Sequence, residues 1–337
     1  MSPGIEAMRR EMARQHADAR ATLADAADMA GRVAAAIRAR GRLVLIGMGG
    51  SHWINRAAAP FYAAAGVDAT AHVASEYIRA PLPGDPVMLL TSQSGGSGEI
   101  LRLLDLRLAP AASFGLTVDP DSPLAARLPV LLGAGGPEQA YAATRSQLVT
   151  LALHAAILAA LGADIAPVGA ALDAPVIPDP AARDAAVARL AAVRSVVMVA
   201  RGRDQGIMDA AALCLMETAR LPVLGLEAGQ YRHGPFEMVG PDTAVVMLRG
   251  AGPAADDLAG LAAEGLRYGI APVMLDASGR TPVEGALTLR LPPLSGLALG
   301  FVALPVLQDI VVAAAARLQP DAGIPQRSTK VTSGEAA

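Results

Sequence analysis

The chain has 337 residues and a formal net charge of −3, a length that exceeds what one ordinary core serves and fits two domains of about 150 residues each. Near neutrality and an aromatic content of 3% exclude the basic footprint and the stacking rings of a nucleic-acid binder. The charged start MSPGIEAMRREMARQ lacks the apolar run of a secretory signal, so a cytoplasmic protein is expected.

Taken in chain order, residues 5–39 read as one or two helices of Ala, Arg and Met, and RLVLIG (42–47) is the first strand. It ends in GMGGS (47–51). An apolar helical stretch to Ala65 follows, then a short strand near 69–74, a buried strand VMLLTS (87–92), the loop QSGGSGE and a helix through Leu108. Apolar strands alternating with helices, each strand closing on a Gly/Ser loop, predict a doubly wound parallel α/β sheet with its ligand edge at the strand C-termini. The pattern then recurs: LVLIG at 43–47 is echoed by VVMVARG at 196–202, VMLLTS by AVVMLRG at 244–250, and FGLTVD at 114–119 by PVMLDA at 272–277. A near-constant spacing of this kind is the mark of a duplicated domain.

The expected organisation is therefore a helical segment over 1–40, a first α/β domain over 41–165, a Pro- and Gly-rich linker over 166–182, a second domain over 183–319 and a polar tail over 320–337. The composition of the tail alone would suit disorder. The most apolar stretch, Leu291 to Ala316, is interrupted by Pro292, Pro293, Pro305, Gln308 and Asp309, which predicts a buried helix and no membrane span.

Two loops can hold an anion. GMGGS joins a strand to a helix, so Gly49, Gly50 and the Ser51 hydroxyl can face a phosphate at a helix N-terminus. It has neither the third Gly of a dinucleotide fingerprint nor the Lys-Ser/Thr ending of a nucleoside triphosphate loop. The second loop, Thr91-Ser92-Gln93-Ser94-Gly95-Gly96-Ser97, sets four hydroxyls and a carboxamide around one turn. Either loop alone could be a solvated turn; two in neighbouring βα units predict a phosphate or phosphosugar site.

Three further positions carry chemistry. Glu217, in an apolar helix, could have its pKa raised and move a proton between carbons, or could pair with Arg220 one turn on. His233, in a His-Gly-Pro turn, could protonate a ring oxygen or be structural. Pro222, Gly225 and Gly229 break any continuous helix between them. Every basic residue except Lys330 is Arg; a lone Lys is either an incidental surface residue or an amine kept for imine chemistry that a guanidinium cannot perform. Cys214, the only cysteine, reads as a core residue and rules out an intrachain disulfide. His16, His52, His72 and His154 show no metal-ligand spacing, so no metal and no cofactor is expected; His52 adjoins the first loop and could touch substrate.

Four motifs in order, GMGGS, ASEYIR (74–79), TSQSGGS (91–97) and EQAYAATRSQ (138–147), resemble the first sugar-isomerase (SIS) domain in the isomerase half of glucosamine-6-phosphate synthase. The resemblance implies two tandem SIS domains and phosphate contacts from Ser51, Ser92, Gln93, Ser94 and Ser97, with Thr144 near the sugar. It implies that Glu217 is the isomerisation carboxylate, that His233 opens the ring from a neighbouring subunit of a homodimer, and that Lys330 forms a Schiff base with the open-chain ketose. Gly96 departs from the family, which usually has Glu there. No glutamine-hydrolysing domain precedes the motifs, so glutamine-dependent synthesis by this chain alone is not expected. The implied partner is a phosphorylated sugar or amino sugar. Three activities stay open: isomerisation with or without ammonia release, cleavage of a fructosamine phosphate, to which HGPFE is somewhat closer, and phosphosugar sensing without catalysis.

Overall fold

The computed structural model describes residues 1–332. Strand β1 (Arg42–Gly47) is apolar on both faces, as a central parallel strand covered by helices on both sides must be. It is preceded by α1 (Pro3–Asp25) and α2 (Ala27–Arg40), and followed by α3 (Gly49–Ala64), β2 (Asp68–Val73), α4 (Ala74–Arg79), β3 (Val87–Thr91), α5 (Gly98–Asp105), β4 (Ser113–Thr117), β5 (Val130–Leu132), α6 (Arg145–Ala160) and α7 (Ala166–Asp173). The five strands form one parallel sheet in the order β2-β1-β3-β4-β5. Helix α6 is buried from Arg145 to Leu158, in keeping with a sequence that is almost wholly apolar from Leu151 on. On the other side of the sheet Val44, Ile46, Met88 and Leu90 pack with Tyr77, Ile100, Leu103 and Leu124.

A second sheet repeats the topology. Its elements are α8 (Pro180–Ala191), β6 (Ser195–Ala200), α9 (Gln205–Ala219), β7 (Val223–Glu227), α10 (Ala228–Arg232), β8 (Thr243–Arg249), α11 (Ala254–Arg267), β9 (Val273–Asp276), β10 (Leu287–Arg290) and α12 (Leu297–Leu318). The strand order is β10-β9-β8-β6-β7, again all parallel. The three repeated strand motifs are β1 and β6, β3 and β8, β4 and β9. The fold is thus α/β, with two tandem doubly wound parallel sheets flanked by helices. Helix α12 is long and apolar enough to cross a membrane by length and composition. It is instead a core helix, buried along most of its length, and its Asp309 accepts two hydrogen bonds from Arg183 at 2.7 and 3.0 Å.

The chain divides into two units. The first comprises Ala7–Asp173 and the tail from Pro325; the second comprises Met1–Glu6 and Ala174–Ile324. The segment 166–182, expected to be a linker, is helical at both ends: α7 covers its first eight residues and α8 starts at Pro180, a favoured first helical position that Asp179 caps. The helix expected to run through Leu108 stops at Asp105, because Arg107 takes a left-handed conformation (φ 56°) and Leu108 N–H bonds back to the Leu103 carbonyl at 3.1 Å. Residues 333–337 of the expected 320–337 segment lie outside the described residues.

Candidate phosphosugar site

In a sheet of order 2-1-3-4-5 the strand order reverses between β1 and β3, and the crevice at their C-terminal ends is where such folds hold ligands. The register sets Gly47 opposite Thr91, so GMGGS and TSQSGGS leave neighbouring strands side by side. Ser51 lies in the first turn of α3 and is buried. Ser92 is buried at the base of the second loop, its hydroxyl 3.1 Å from that of Ser97. Ser94 Oγ accepts the N–H of Gly96 at 3.2 Å, and the Gln93 carbonyl accepts from Val118 N–H and Thr117 Oγ1, which ties the turn to β4. Among the described residues, His52 Nδ1, Asn55 Nδ2 and Gln93 Nε2 are buried without a hydrogen-bond partner, all three in these two loop-and-helix segments. Buried polar groups are ordinarily paired, and exceptions cluster where a ligand or ion completes them. Burial, aided by the Arg56 charge, holds the His52 imidazole down at about 4, hence neutral.

One hydroxyl counted from the sequence drops out. Thr91 Oγ1 donates inward to Asn55 Oδ1 at 2.8 Å, so its proton is not available to an anion on the loop.

Thr144 is the N-cap of α6 and is fully buried. Its N–H and hydroxyl both donate to Glu138 Oε1 at 3.0 Å, as does Arg145 N–H at 2.9 Å, and Ser146 Oγ donates to Glu138 Oε2. A buried carboxylate therefore sits at the positive end of the helix, where it is best stabilised. Arg145, also fully buried, donates to Glu11 Oε2 at 2.6 Å and to the Ala134 and Gly136 carbonyls at 3.2 and 2.7 Å, which fixes the loop before Glu138.

The tail brings Lys330 to this loop. Lys330 Nζ donates to the Ala140 carbonyl, stands 3.5 Å from that of Tyr141 and 3.9 Å from Glu138 Oε2, and its side chain is one-third exposed. Ser328 bonds Tyr141, and the Thr332 carbonyl accepts the N–H of Gly98 at 2.9 Å, at the start of α5. Val331 Cγ1 lies 3.4 Å from where a side chain on Gly96 would begin. The tail thus packs against this glycine, where a side chain as long as Glu would meet Val331. The two loops, Thr144 and Lys330 all belong to the first unit; Glu138 was overlooked in the sequence although it opens the EQAYAATRSQ motif.

Glu217 and His233 belong to the second unit. Glu217 is half-buried in the last turn of α9. Arg220, offered above as its partner, ends that helix in a left-handed conformation (φ 53°) and sends its guanidinium to Asp321 at 2.6 Å. His233 is exposed in the turn after α10, its N–H bonded to the Gln230 carbonyl at 3.1 Å. Glu227 caps α10 by accepting the N–H groups of Gly229 and Gln230 at 2.7 and 3.4 Å.

No protein-family model matches the chain. A glutamine–fructose-6-phosphate aminotransferase (isomerizing) of Rhizobium meliloti is 26% identical over 245 residues, which is 66% of this chain and 39% of that protein, so the alignment spans about two fifths of the relative. Among solved structures, the C-terminal domain of glucosamine-fructose-6-phosphate aminotransferase from Francisella tularensis is 18% identical, with a TM-score of 0.79 covering 92% of this chain and 96% of the other. Tagatose-6-phosphate ketose/aldose isomerase from Escherichia coli is 18% identical, with a TM-score of 0.77 covering 94% and 96%. The shared topology of the two sheets and these likenesses agree: the chain has the fold of these two solved structures and is similar in sequence to part of glutamine–fructose-6-phosphate aminotransferase.

Proposed function

We propose that the chain is a phosphosugar isomerase-type enzyme that acts on an amino-sugar or ketose phosphate. The observation that carries this reading is the placement of GMGGS and TSQSGGS side by side at the switch point of the first sheet, with Gly47 paired to Thr91 and buried, unpartnered side-chain nitrogens in both segments. The backbone of Gly49 and Gly50 and the side chains of Ser51, Ser92, Gln93, Ser94 and Ser97 bind the phosphate, with Thr144 shaping the floor. His233 opens the ring, Glu217 carries the proton between C1 and C2, and Lys330 forms an imine with the open-chain carbonyl. The activities of the similar proteins, an isomerizing aminotransferase and a ketose/aldose isomerase, support this class of substrate. The protein works in the cytoplasm as a homodimer. Lys330 Nζ, held on the carbonyl of Ala140, presents its lone pair to the substrate carbonyl when the imine forms. Cleavage of a fructosamine phosphate would use the same residues and is the second reading, favoured by the His-Gly-Pro-Phe-Glu segment.

The test is incubation of the purified protein with a panel of phosphorylated hexosamines, ketoses and fructosamines, with ammonia, free amine and sugar phosphate measured. Borohydride reduction during turnover should trap an adduct on Lys330, and Lys330→Arg should abolish adduct and turnover together. An active Lys330→Arg enzyme would remove the imine from the scheme.

A further inference from the structure

Beneath the two loops lies a chain of buried side chains that the scheme above leaves unused. Asn55 and Tyr62, seven residues apart and hence on one face of α3, bracket His154 of α6; with Thr91 at the end of β3, all four are at most 1% exposed. Tyr62 Oη lies 3.1 Å from His154 Nδ1, His154 Nε2 lies 3.1 Å from Asn55 Oδ1, and Thr91 Oγ1 donates to the same oxygen at 2.8 Å. The direction of each bond follows. A carboxamide oxygen only accepts, so Nε2 carries the proton. Full burial drives the imidazole down to about 3, so the ring is neutral, its Nδ1 is bare, and Nδ1 accepts the hydrogen bond of the Tyr62 hydroxyl. With Oδ1 filled from two sides, the amide nitrogen of Asn55 turns the other way. It stands 3.0 Å from where a side chain on Gly47 would begin, and no protein acceptor meets it.

We propose that Asn55 is the positioning residue of the phosphate site. It ties the last residue of β3, from which the second loop springs, to the helix that springs from the first loop, so the two loops move as one cradle. Its NH2, the positive end of the amide dipole, is left under the turn that faces the anion. His154 and Tyr62 keep Asn55 in this orientation, since a flipped amide would set two donors against the N–H of His154 and the hydroxyl of Thr91. Preorganisation of this kind strengthens binding by removing the cost of assembling the loops around the ligand. The assignment rests on the phosphosugar reading for its purpose, though not for the bonds themselves.

Two measurements separate these. Nitrogen-15 labelling of histidine in the full-length, ligand-free protein should show His154 in the Nε2–H tautomer, unchanged between about pH 5.5 and 8; an imidazolium or an Nδ1–H ring overturns the relay. Calorimetry with inorganic phosphate and with fructose 6-phosphate should give a Kd raised roughly tenfold in Asn55→Leu, Thr91→Val and His154→Leu, the loss of about one well-made hydrogen bond. Thr91→Ser and His154→Gln restore the donors and should return Kd to within about threefold of wild type. If His154→Leu does not fold, the near-isosteric Thr91→Val against Thr91→Ser decides alone. Wild-type protein that binds neither probe sinks the phosphosugar reading, and the positioning role with it, while the histidine spectrum still reports the relay. Wild-type binding that Thr91→Val leaves unchanged sinks the positioning role only.

Discussion

Replacing Glu138 by Ala and by Gln should have unequal consequences, because the carboxylate does two jobs of different stringency. It is 6% exposed and accepts from Thr144 N–H and Oγ1, Arg145 N–H and Ser146 Oγ. In Glu138→Ala the two hydroxyls can rotate to other acceptors, but the two N–H groups in the first turn of α6 stay buried and unpaired. Bonds to a charged group are worth about 1.5–3 kcal/mol each and are not strictly additive, so the loss should be about 3–5 kcal/mol. In Glu138→Gln an amide oxygen still faces Thr144 and Arg145, and the NH2 can donate to Ser146 Oγ, which accepts as readily as it donates; that variant should lose less than about 1 kcal/mol. At about 2–4 °C per kcal/mol for a unit of this size, the calorimetric transition of the first unit should fall by roughly 6–20 °C for Ala and by under about 4 °C for Gln. An Ala variant that melts within about 2 °C of wild type would refute the claim that Glu138 holds the start of α6.

Three other outcomes are expected. Burial disfavours the Glu11 carboxylate, yet the Gln139 N–H and the Arg145 guanidinium together hold it below its ordinary 4.5. Its contribution is therefore complete above pH 4.5 and lost as pH falls through the lower folded value, so Glu11→Gln should cost stability at pH 7 and progressively less in acid; a pH-independent difference in urea midpoint would contradict this. Gly96→Glu should displace Val331 from its seat and speed tryptic cleavage after Arg327 and Lys330, and an unchanged cleavage rate would show that the tail docks independently of this loop. Ser92→Ala with Ser94→Ala should weaken phosphosugar binding by roughly 2–4 kcal/mol in calorimetry, and unchanged affinity would remove the second loop from the site.

What could be read from the sequence is what local chemistry determines. The segments RLVLIG and VMLLT carry short apolar runs that end at Gly/Ser loops, as covered parallel strands do, and the structure has them as β1 and β3. The loops were legible because a strand's end and a glycine-rich turn sit next to each other in the chain. Long-range pairing was not legible: that Thr91 turns its hydroxyl inward depends on Asn55, 36 residues away, and on His154, 99 residues from Asn55. A signal existed in His154, a polar side chain in the otherwise apolar run LALHAAILAA of α6, but without its partners it reads only as a core histidine. The placement of the tail escaped composition for a like reason, since its bonds go to Ala140, Tyr141 and Gly98.

The duplication sharpens the argument for one phosphate site. The two sheets share a topology, so the second has its own switch point, at the C-terminal ends of β6 and β8. There the loop after β6 reads Arg201-Gly202-Arg203-Asp204, and its donors are turned to the carboxylate of Glu227, which lies 3.4 Å from both Arg201 Nη1 and Gly202 N. The last residue of β8, Arg249, is buried and gives its guanidinium to Asp276 and to the Ala255 and Thr281 carbonyls. An acidic side chain of the chain itself thus takes the N–H that an anion would otherwise use, and an external phosphate would have to displace a tethered one. In the first sheet no carboxylate among the described residues pairs with either loop; the acceptors there are hydroxyls that can turn their protons outward. The second switch point is thus filled by the chain's own charges, while the first is lined by the hydroxyls of Ser92, Ser94 and Ser97.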